Sequence, residues 1–325
     1  MNIFLTGASG FVGSHLLKRL TADGHHVMCH VRLPLPEEFM QMKGLVAWQG
    51  DLNNVSALSN AIQGIDSIIH CAAETSLWNS AELLIASNVI MTQRMIQAAK
   101  QANVKQFIYM SDASVAKDRR ISTLNVSEST PLPNIAGLPY IQSKSMAEQF
   151  VMNSGDESLR TICLRPTFIW GRGDMIDKGL GQAANLKKFG WFSQGEYPFS
   201  TCYIENLCEA VHKALLSSVS KETFFISDGL TLNLREWMAQ RLKVGGFSVP
   251  TLSIPRSMAW PLARFTENGW RYLPLKGDPP LTREMVHIMA YPFSVSIDKA
   301  KAMLAYEPIY SIEEGLLQMA KSHSF

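Results

Sequence analysis

The sequence lacks any marked excess of charge of one sign: 30 lysines and arginines stand against 28 acids over 325 residues, a net charge of +2 at pH 7. Nucleic-acid binders show a basic footprint that is missing here, so a small molecule is the expected partner. Long apolar runs are also missing. Met1-Asn2-Ile3-Phe4-Leu5 opens apolar but runs directly into glycines, which argues against a signal peptide or a membrane span and for a first strand at the start of the chain. The 5 cysteines form no Cys-x-x-Cys pair, and Cys29, Cys71 and Cys163 lie in apolar runs that read as strands. Buried thiols in a reducing cytoplasm are expected, with no metal site. No internal repeat or low-complexity stretch is present.

What is present is alternation. Short apolar runs at Asn2 to Thr6, His26 to Val31, Leu45 to Trp48, Ser67 to Cys71, Gln106 to Ser111 and Thr161 to Leu164 are separated by helical patterns at Phe11 to Ala22, Val55 to Ile62, Leu83 to Ala102 and Tyr140 to Met152. This rhythm predicts an α/β fold with a doubly wound parallel sheet of the Rossmann type. After Gly171 it breaks, and aromatics, Gly and Pro increase. Leu207 to Leu216 with Phe224-Phe225-Ile226 reads as one more helix and strand returned to the sheet. The expected division is therefore 1–170 and 203–228 for a cofactor-binding domain, and 171–202 and 229–325 for a smaller, mostly C-terminal α/β substrate lobe.

Gly7-Ala8-Ser9-Gly10-Phe11-Val12-Gly13 lies between the first strand and the first helix. In that setting the first glycine permits a tight turn, the second lets backbone approach a pyrophosphate, and the third lets helix pack on strand, with amide N–H groups aimed at phosphates. NAD binders usually place an acid at the end of the second strand to hold the ribose 2′-OH. Here Arg32 stands there, and the next acid, Glu37, lies beyond Pro34 and Pro36. A guanidinium suits a 2′-phosphate, so NADP(H) is favoured, while NAD(H) beside a solvated arginine stays open.

Tyr140-Ile141-Gln142-Ser143-Lys144 opens a helical stretch, and four-residue spacing puts phenol and ammonium on one face. Such an ammonium would stabilise phenolate and move the tyrosine pKa from about 10 toward working pH, for proton exchange with a carbonyl oxygen during hydride transfer.

Further motifs follow the strands: Gly50-Asp51-Leu52 after the third, His70-Cys71-Ala72-Ala73 at the fourth, and Leu164-Arg165-Pro166-Thr167-Phe168-Ile169-Trp170-Gly171 at the sixth. With the glycine turn and Tyr140/Lys144, these resemble the extended short-chain dehydrogenase/reductase family over nearly the whole chain. Arg32 and the tail from Leu281-Thr282-Arg283 through Glu307-Pro308 look most like its 3-beta-hydroxysteroid dehydrogenase and dihydroflavonol reductase branch. The resemblance implies that Asp51, with Leu52, meets adenine; that Ala72 and Ala73 line the cofactor; that backbone at Pro166, Thr167 and Ile169 meets the nicotinamide amide; and that Asn88 supports a proton relay. It also implies a homodimer through a four-helix interface built from the helices holding Asn88 and Tyr140. Structural readings of the same residues are Asp51 as a turn former, Asn88 as a helix-face polar residue and Arg165 as an ion-pair partner.

One position departs from the family pattern. The catalytic Ser or Thr is the second residue of a pair at the end of the fifth strand, where Tyr109-Met110-Ser111-Asp112-Ala113-Ser114 places Asp112. An ionised carboxylate would repel a developing alkoxide. Ser114, two residues on, could supply the hydroxyl, or Asp112 could be held neutral and donate.

Nucleotide-sugar epimerases fit less well, because two of their polar anchors align with Phe168 and Phe199; two phenyl rings would house an apolar substrate and hold a diphosphate poorly. Trp170, Trp191, Phe192 and Tyr203 join them as candidates for pocket or core. The stretch Ser257 to Leu273 is amphipathic and basic, but Pro261 interrupts it and the lobe needs a core, so it reads as lobe packing and not as membrane contact. The leading expectation is an NADP(H)-dependent oxidoreductase interconverting a ketone and a secondary alcohol on a hydrophobic small molecule of hydroxysteroid or flavonoid type. An epimerase or dehydratase with retained NAD(P), assisted by Asp112, and a non-catalytic NADP(H)-sensing protein are the alternatives.

Overall fold

The computed structural model describes residues 1–34, 36–118, 121–273 and 275–321. Its centre is a seven-stranded sheet: β1 (Asn2–Thr6), β2 (His26–His30), β3 (Leu45–Trp48), β4 (Ser67–His70), β5 (Gln106–Met110), β6 (Arg160–Pro166) and β7 (Glu222–Ile226). The strands run in the order β7-β6-β5-β4-β1-β2-β3, every pair parallel. The order reverses between β1 and β4, the crevice where open α/β sheets bind ligands.

Period-two alternation sends successive side chains to opposite faces, and both faces are covered, which is why the strands read as continuous apolar runs. Ile3, Leu5, Ile69, Ile108 and Ile162 pack on one face with Leu16, Leu17 and Leu20 of α1 (Phe11–Ala22). Phe4, Ile68, Phe107, Tyr109 and Cys163 pack on the other, against α2 (Val55–Ala61), α3 (Met91–Gln101) and α4 (Pro139–Ser154). α5 (Ile204–Leu216) returns to the first face. All five cysteines are free, and only Cys71 is less than fully buried.

The smaller lobe carries α6 (Leu234–Val244), α7 (Arg256–Tyr272) and α8 (Arg283–Met289), with a four-stranded sheet in the order Leu232–Asn233, Pro198–Phe199, Phe293–Val295, Thr123–Val126. The last of these comes from inside the stretch expected to belong wholly to the cofactor domain, and pairs parallel with Phe293–Val295. Phe168–Trp170 and Thr201–Tyr203 also pair with each other. The pattern expected as one helix from Leu83 to Ala102 is Ala81–Leu84, a π-helical turn at Ile85–Ile90 and then α3. Such a turn often marks a functional position, and this one carries Asn88.

Candidate active site

The glycine turn follows β1 directly. Gly7 adopts φ +76°, and a Cβ there would lie 2.8 Å from the Ala72 amide nitrogen. Gly10 N donates to Gly7 O at 2.9 Å. A Cβ on Gly13 would fall 2.0 Å from that same carbonyl oxygen, so glycine is what lets α1 lie on β1. α1 starts at Phe11 with no side chain capping its first amides. Its N–H groups and dipole therefore face an exposed edge at Ser9 and Gly10, with Phe11 and Val12 half-buried behind. The cradle fits a dinucleotide diphosphate.

Arg32, just beyond β2, is exposed and has no carboxylate partner among the described residues; only its carbonyl is engaged, by Gln49 Nε2 at 3.2 Å. Asp51 Oδ1 accepts from Asn53 N at 2.8 Å and Asn53 Nδ2 at 2.9 Å, holding the turn after β3 above buried Leu52. Pro166 closes β6, Thr167 N donates to Ile226 O at 3.0 Å, and Ile169 and Ala73 are half-buried. All of these lie at or just beyond the C-terminal ends of the parallel strands.

A buried hydrogen-bond chain fixes the centre of that rim. Ala72 N donates to Thr6 Oγ1 (3.1 Å), Thr6 Oγ1 lies 2.7 Å from His70 Nδ1, His70 Nε2 lies 3.1 Å from Thr92 Oγ1, and Thr92 Oγ1 donates to Asn88 O (2.6 Å). Because the Thr92 hydroxyl spends its proton on Asn88 O, it must accept from His70, which places the proton on Nε2 of a neutral His70 and leaves Nδ1 to accept from Thr6 Oγ1. Burial, with Lys144 nearby, lowers the His70 pKa to about 3. The Asn88 side chain is equally committed: Nδ2 donates to Glu74 O (3.0 Å) and Ser143 Oγ (2.9 Å), and Oδ1 accepts from Glu74 N (2.7 Å).

Tyr140, Asp112 and Ser114 meet. Tyr140 Oη donates to Asp112 Oδ2 at 3.0 Å, while Ser114 donates to Asp112 Oδ1 from Oγ at 2.5 Å and from N at 2.8 Å. Asp112 caps the short 3-10 turn Ala113–Ala116, which explains why it faces Ser114. Lys144 lies one turn further along α4, buried, but its Nζ donates to Met110 O at 2.6 Å and lies 4.5 Å from the centre of the Tyr109 ring. No hydrogen bond joins it to Tyr140 among the described residues. The expected lowering of the Tyr140 pKa by Lys144 is reversed: burial first, then Asp112, hold the phenol well above its usual value. Burial lowers the Lys144 pKa to about 8, against the pull of Asp112.

Two supports were not evident from the sequence. Ser111 Oγ donates to Glu148 Oε2 at 2.5 Å, and Glu148 forms a buried two-point ion pair with Arg165. Glu284 of α8 accepts from Tyr140 N at 2.8 Å, satisfying the first turn of α4, while its Oε2 is buried without a partner among the described residues. Burial raises the Glu284 pKa to about 8. The folded state thus holds this proton after the unfolded chain has released it, so stability falls as pH rises from about 4.5 to about 8. Glu284→Gln is expected to melt like wild type near pH 4 and to gain roughly 4 kcal/mol by pH 8, read by thermal denaturation.

Residues 4–249 match the 3-beta hydroxysteroid dehydrogenase/isomerase family. The chain belongs to this family. It is 31% identical to a 4-hydroxy-2-methyl-3-oxo-4-farnesyl-3,4-dihydroquinoline-1-oxide ketoreductase of Stigmatella aurantiaca, covering 97% of this chain and 95% of that one. It is 32% identical to a 2-alkyl-3-oxoalkanoate reductase of Stenotrophomonas maltophilia, covering 99% of each. In fold it resembles a UDP-glucose 4-epimerase of Thermotoga maritima, with a TM-score of 0.75 at 20% identity over 99% of this chain and 98% of that one. The protein is an NAD(P)-dependent oxidoreductase of the ketone/alcohol class.

Within this 3-beta hydroxysteroid dehydrogenase/isomerase family member, Phe168 and Phe199 pack edge to face at 6.1 Å, and Phe168 packs on Trp237 at 5.5 Å. Trp170, Trp191, Phe199 and Tyr203 are buried in the main core, with Phe168 half-buried against it. Phe192, also half-buried, packs against the lobe cluster of Ala259, Ala263, Val286, Ala290 and Tyr291. At the opposite rim of the sheet, Asp23, His25 and His212 lie within 4.8 Å of one another, but Arg19 Nε already donates to Asp23 Oδ2 at 2.9 Å.

Proposed function

We propose that the protein is an NADP(H)-dependent ketoreductase for a hydrophobic small molecule, with Tyr140 as its acid. The observation that carries this reading is the buried Tyr140 phenol, held protonated and hydrogen-bonded at the end of β5. A protonated phenol is the form needed to give a proton to a carbonyl oxygen. The bound nicotinamide supplies the hydride. Tyr140 passes its proton to the oxygen of the reduced carbon, and Lys144 is the cation on the same helix face available to the phenolate left behind. Asp112 Oδ2 occupies the place that the carbonyl oxygen takes, so substrate binding transfers the Tyr140 hydrogen bond from carboxylate to ketone while Asp112 keeps Ser114. Arg32 supports the 2′-phosphate. The relatives' named substrates, a farnesylated ring ketone and an alkyl oxoalkanoate, support a lipophilic substrate here. Exposed Ile90 and Met146 support pairing of two copies through the helices that carry Asn88 and Tyr140.

The test is cofactor absorbance with NADPH and NADH against a panel of hydrophobic ketones. Wild type should prefer NADPH by tenfold or more in kcat/KM, and Arg32→Asp should erase that preference; equal use of both cofactors by wild type overturns the NADP(H) assignment. A second measurement addresses Asp112. Turnover should fall above about pH 8 as Lys144 loses its proton. Asp112→Ser removes a carboxylate that holds that proton, so the alkaline limb should move to lower pH while turnover stays within about tenfold. A loss beyond a hundredfold would make Asp112 an acid/base in its own right and favour the epimerase or dehydratase reading.

A further inference from the structure

Helix α8 belongs to the smaller lobe by one face and to the catalytic centre by the other. Val286 and Ala290, four residues apart, are buried with Ala259 and Ala263 of α7. Glu284, His287 and Ile288 follow the spacing i, i+3, i+4 and share the other face. Ile288 packs there against the cluster of Leu84, Val115 and Tyr140.

Polar contacts join this face to both segments that hold Tyr140, Asp112 and Ser114. At the start of α8, Glu284 Oε1 accepts from Tyr140 N at 2.8 Å. In the middle, His287 Nε2 donates to Ser114 O at 3.3 Å, since a carbonyl can only accept. At the end, Lys117 Nζ donates to Ile288 O at 2.7 Å and to Tyr291 O at 2.9 Å, covering carbonyls left open where the helix stops. Lys117 N donates in turn to Ser114 O at 3.1 Å, which ties the same turn to α8 a second time. Glu284, His287 and Lys117 are all buried.

Neither segment completes itself. α4 begins at Pro139 with no side-chain hydrogen bond from its N-cap, Leu138, so the amide of the next residue needs an acceptor from elsewhere. That residue is Tyr140, and the lobe supplies the acceptor. Ser114 sits in a 3-10 turn of four residues, Ala113–Ala116, whose short ladder leaves its carbonyls to outside donors.

We propose that α8 is a positioning element for proton transfer: Glu284 sets Tyr140, while His287 and Lys117 set the turn that carries Asp112 and Ser114. The three side chains act through backbone atoms and hold the phenol and the Asp112–Ser114 pair at the separation from which the proton passes to a substrate oxygen. The inference rests on Tyr140 as the acid.

The test compares Glu284→Met and Lys117→Met, which remove the polar group, with Glu284→Gln, which keeps an acceptor for Tyr140 N. Calorimetric titration with NADPH counts the folded sites, and kcat and KM are read per site on a ketone that wild type reduces, in water and in deuterium oxide. Each methionine variant should lose about tenfold or more in kcat with KM and NADPH affinity little changed, because misplacing a reacting group acts on the chemical step. The solvent isotope effect on kcat should rise above that of wild type as proton transfer becomes limiting, and Glu284→Gln should restore kcat to within about threefold. If Glu284→Met does not fold, Glu284→Asp, shorter by one methylene, is read against the same outcomes. A methionine variant that keeps wild-type kcat and isotope effect overturns the proposal, as does Glu284→Gln as slow as Glu284→Met. Tyr140→Phe separates this from the reading beneath it: undiminished turnover there removes the acid itself, whereas a slow Tyr140→Phe beside an unimpaired Glu284→Met removes only the role of α8.

Discussion

Alanine at position 13 is expected to abolish dinucleotide binding and to leave a poorly stable protein. The added Cβ would lie 2.0 Å from Gly7 O, 2.6 Å from Gly7 C and 2.9 Å from Ala8 Cα, all of them backbone atoms. No side chain can rotate away, so either the turn opens or α1 lifts from β1. Lifting α1 would pull Leu16, Leu17 and Leu20 out of the core, where each is at most 1% exposed. Overpacking of this kind costs roughly 3 kcal/mol, a large part of a typical folding free energy. Gly10→Ala is the control, since its Cβ would meet Gly7 O at 3.2 Å. Calorimetric titration with NADPH and a thermal melt read both effects. An alanine variant with unchanged affinity and melting temperature would remove the turn from the cofactor site.

Tyr140→Phe should have the opposite profile, losing about a thousandfold in turnover while folding and binding cofactor normally. The ring packs among Leu84, Val115 and Ile141, contacts that phenylalanine keeps. The hydroxyl's hydrogen bond runs to Asp112, whose other oxygen remains held by Ser114 N and Oγ. What disappears is the proton donor. Single-turnover kinetics with saturating NADPH separate this from a binding defect, and a variant that keeps wild-type turnover on the reduced ketone takes Tyr140 out of the mechanism.

The parallel sheet was legible because its strands are buried on both faces and its helices carry clear apolar stripes; the glycine turn was legible because it lies between a strand and a helix only a few residues apart. The Tyr140 and Lys144 pair was legible as a spacing, but its electrostatics was not. Whether an ammonium one turn away reaches a phenol depends on competing acceptors, and here Met110 O takes Lys144 while Asp112 takes Tyr140. Glu284 was hidden for a related reason. It acts on Tyr140 N across 144 positions of chain, and nothing in the local pattern of α8 marks it as the group that satisfies the first turn of another helix. Arg165 could be suspected of an ion pair, but Glu148 faces it from the middle of α4, where a glutamate ordinarily reads as a solvated helix residue. Pro261 reads as an interruption because proline usually ends a helix, yet the helix runs unbroken from Arg256 to Tyr272, and the carbonyl that loses its donor belongs to exposed Ser257.

The strand Thr123–Val126 has a consequence for engineering this protein. Since the first half of the chain supplies the edge of the lobe's four-stranded sheet, the lobe is not a C-terminal cassette. A chimera that exchanges everything after Trp170 for a relative's sequence would set a foreign Phe293–Val295 equivalent beside the native Thr123–Val126, across the irregular register seen at that pairing. Substrate range should therefore transfer between relatives only when the segment around 123–126 is exchanged together with the C-terminal half.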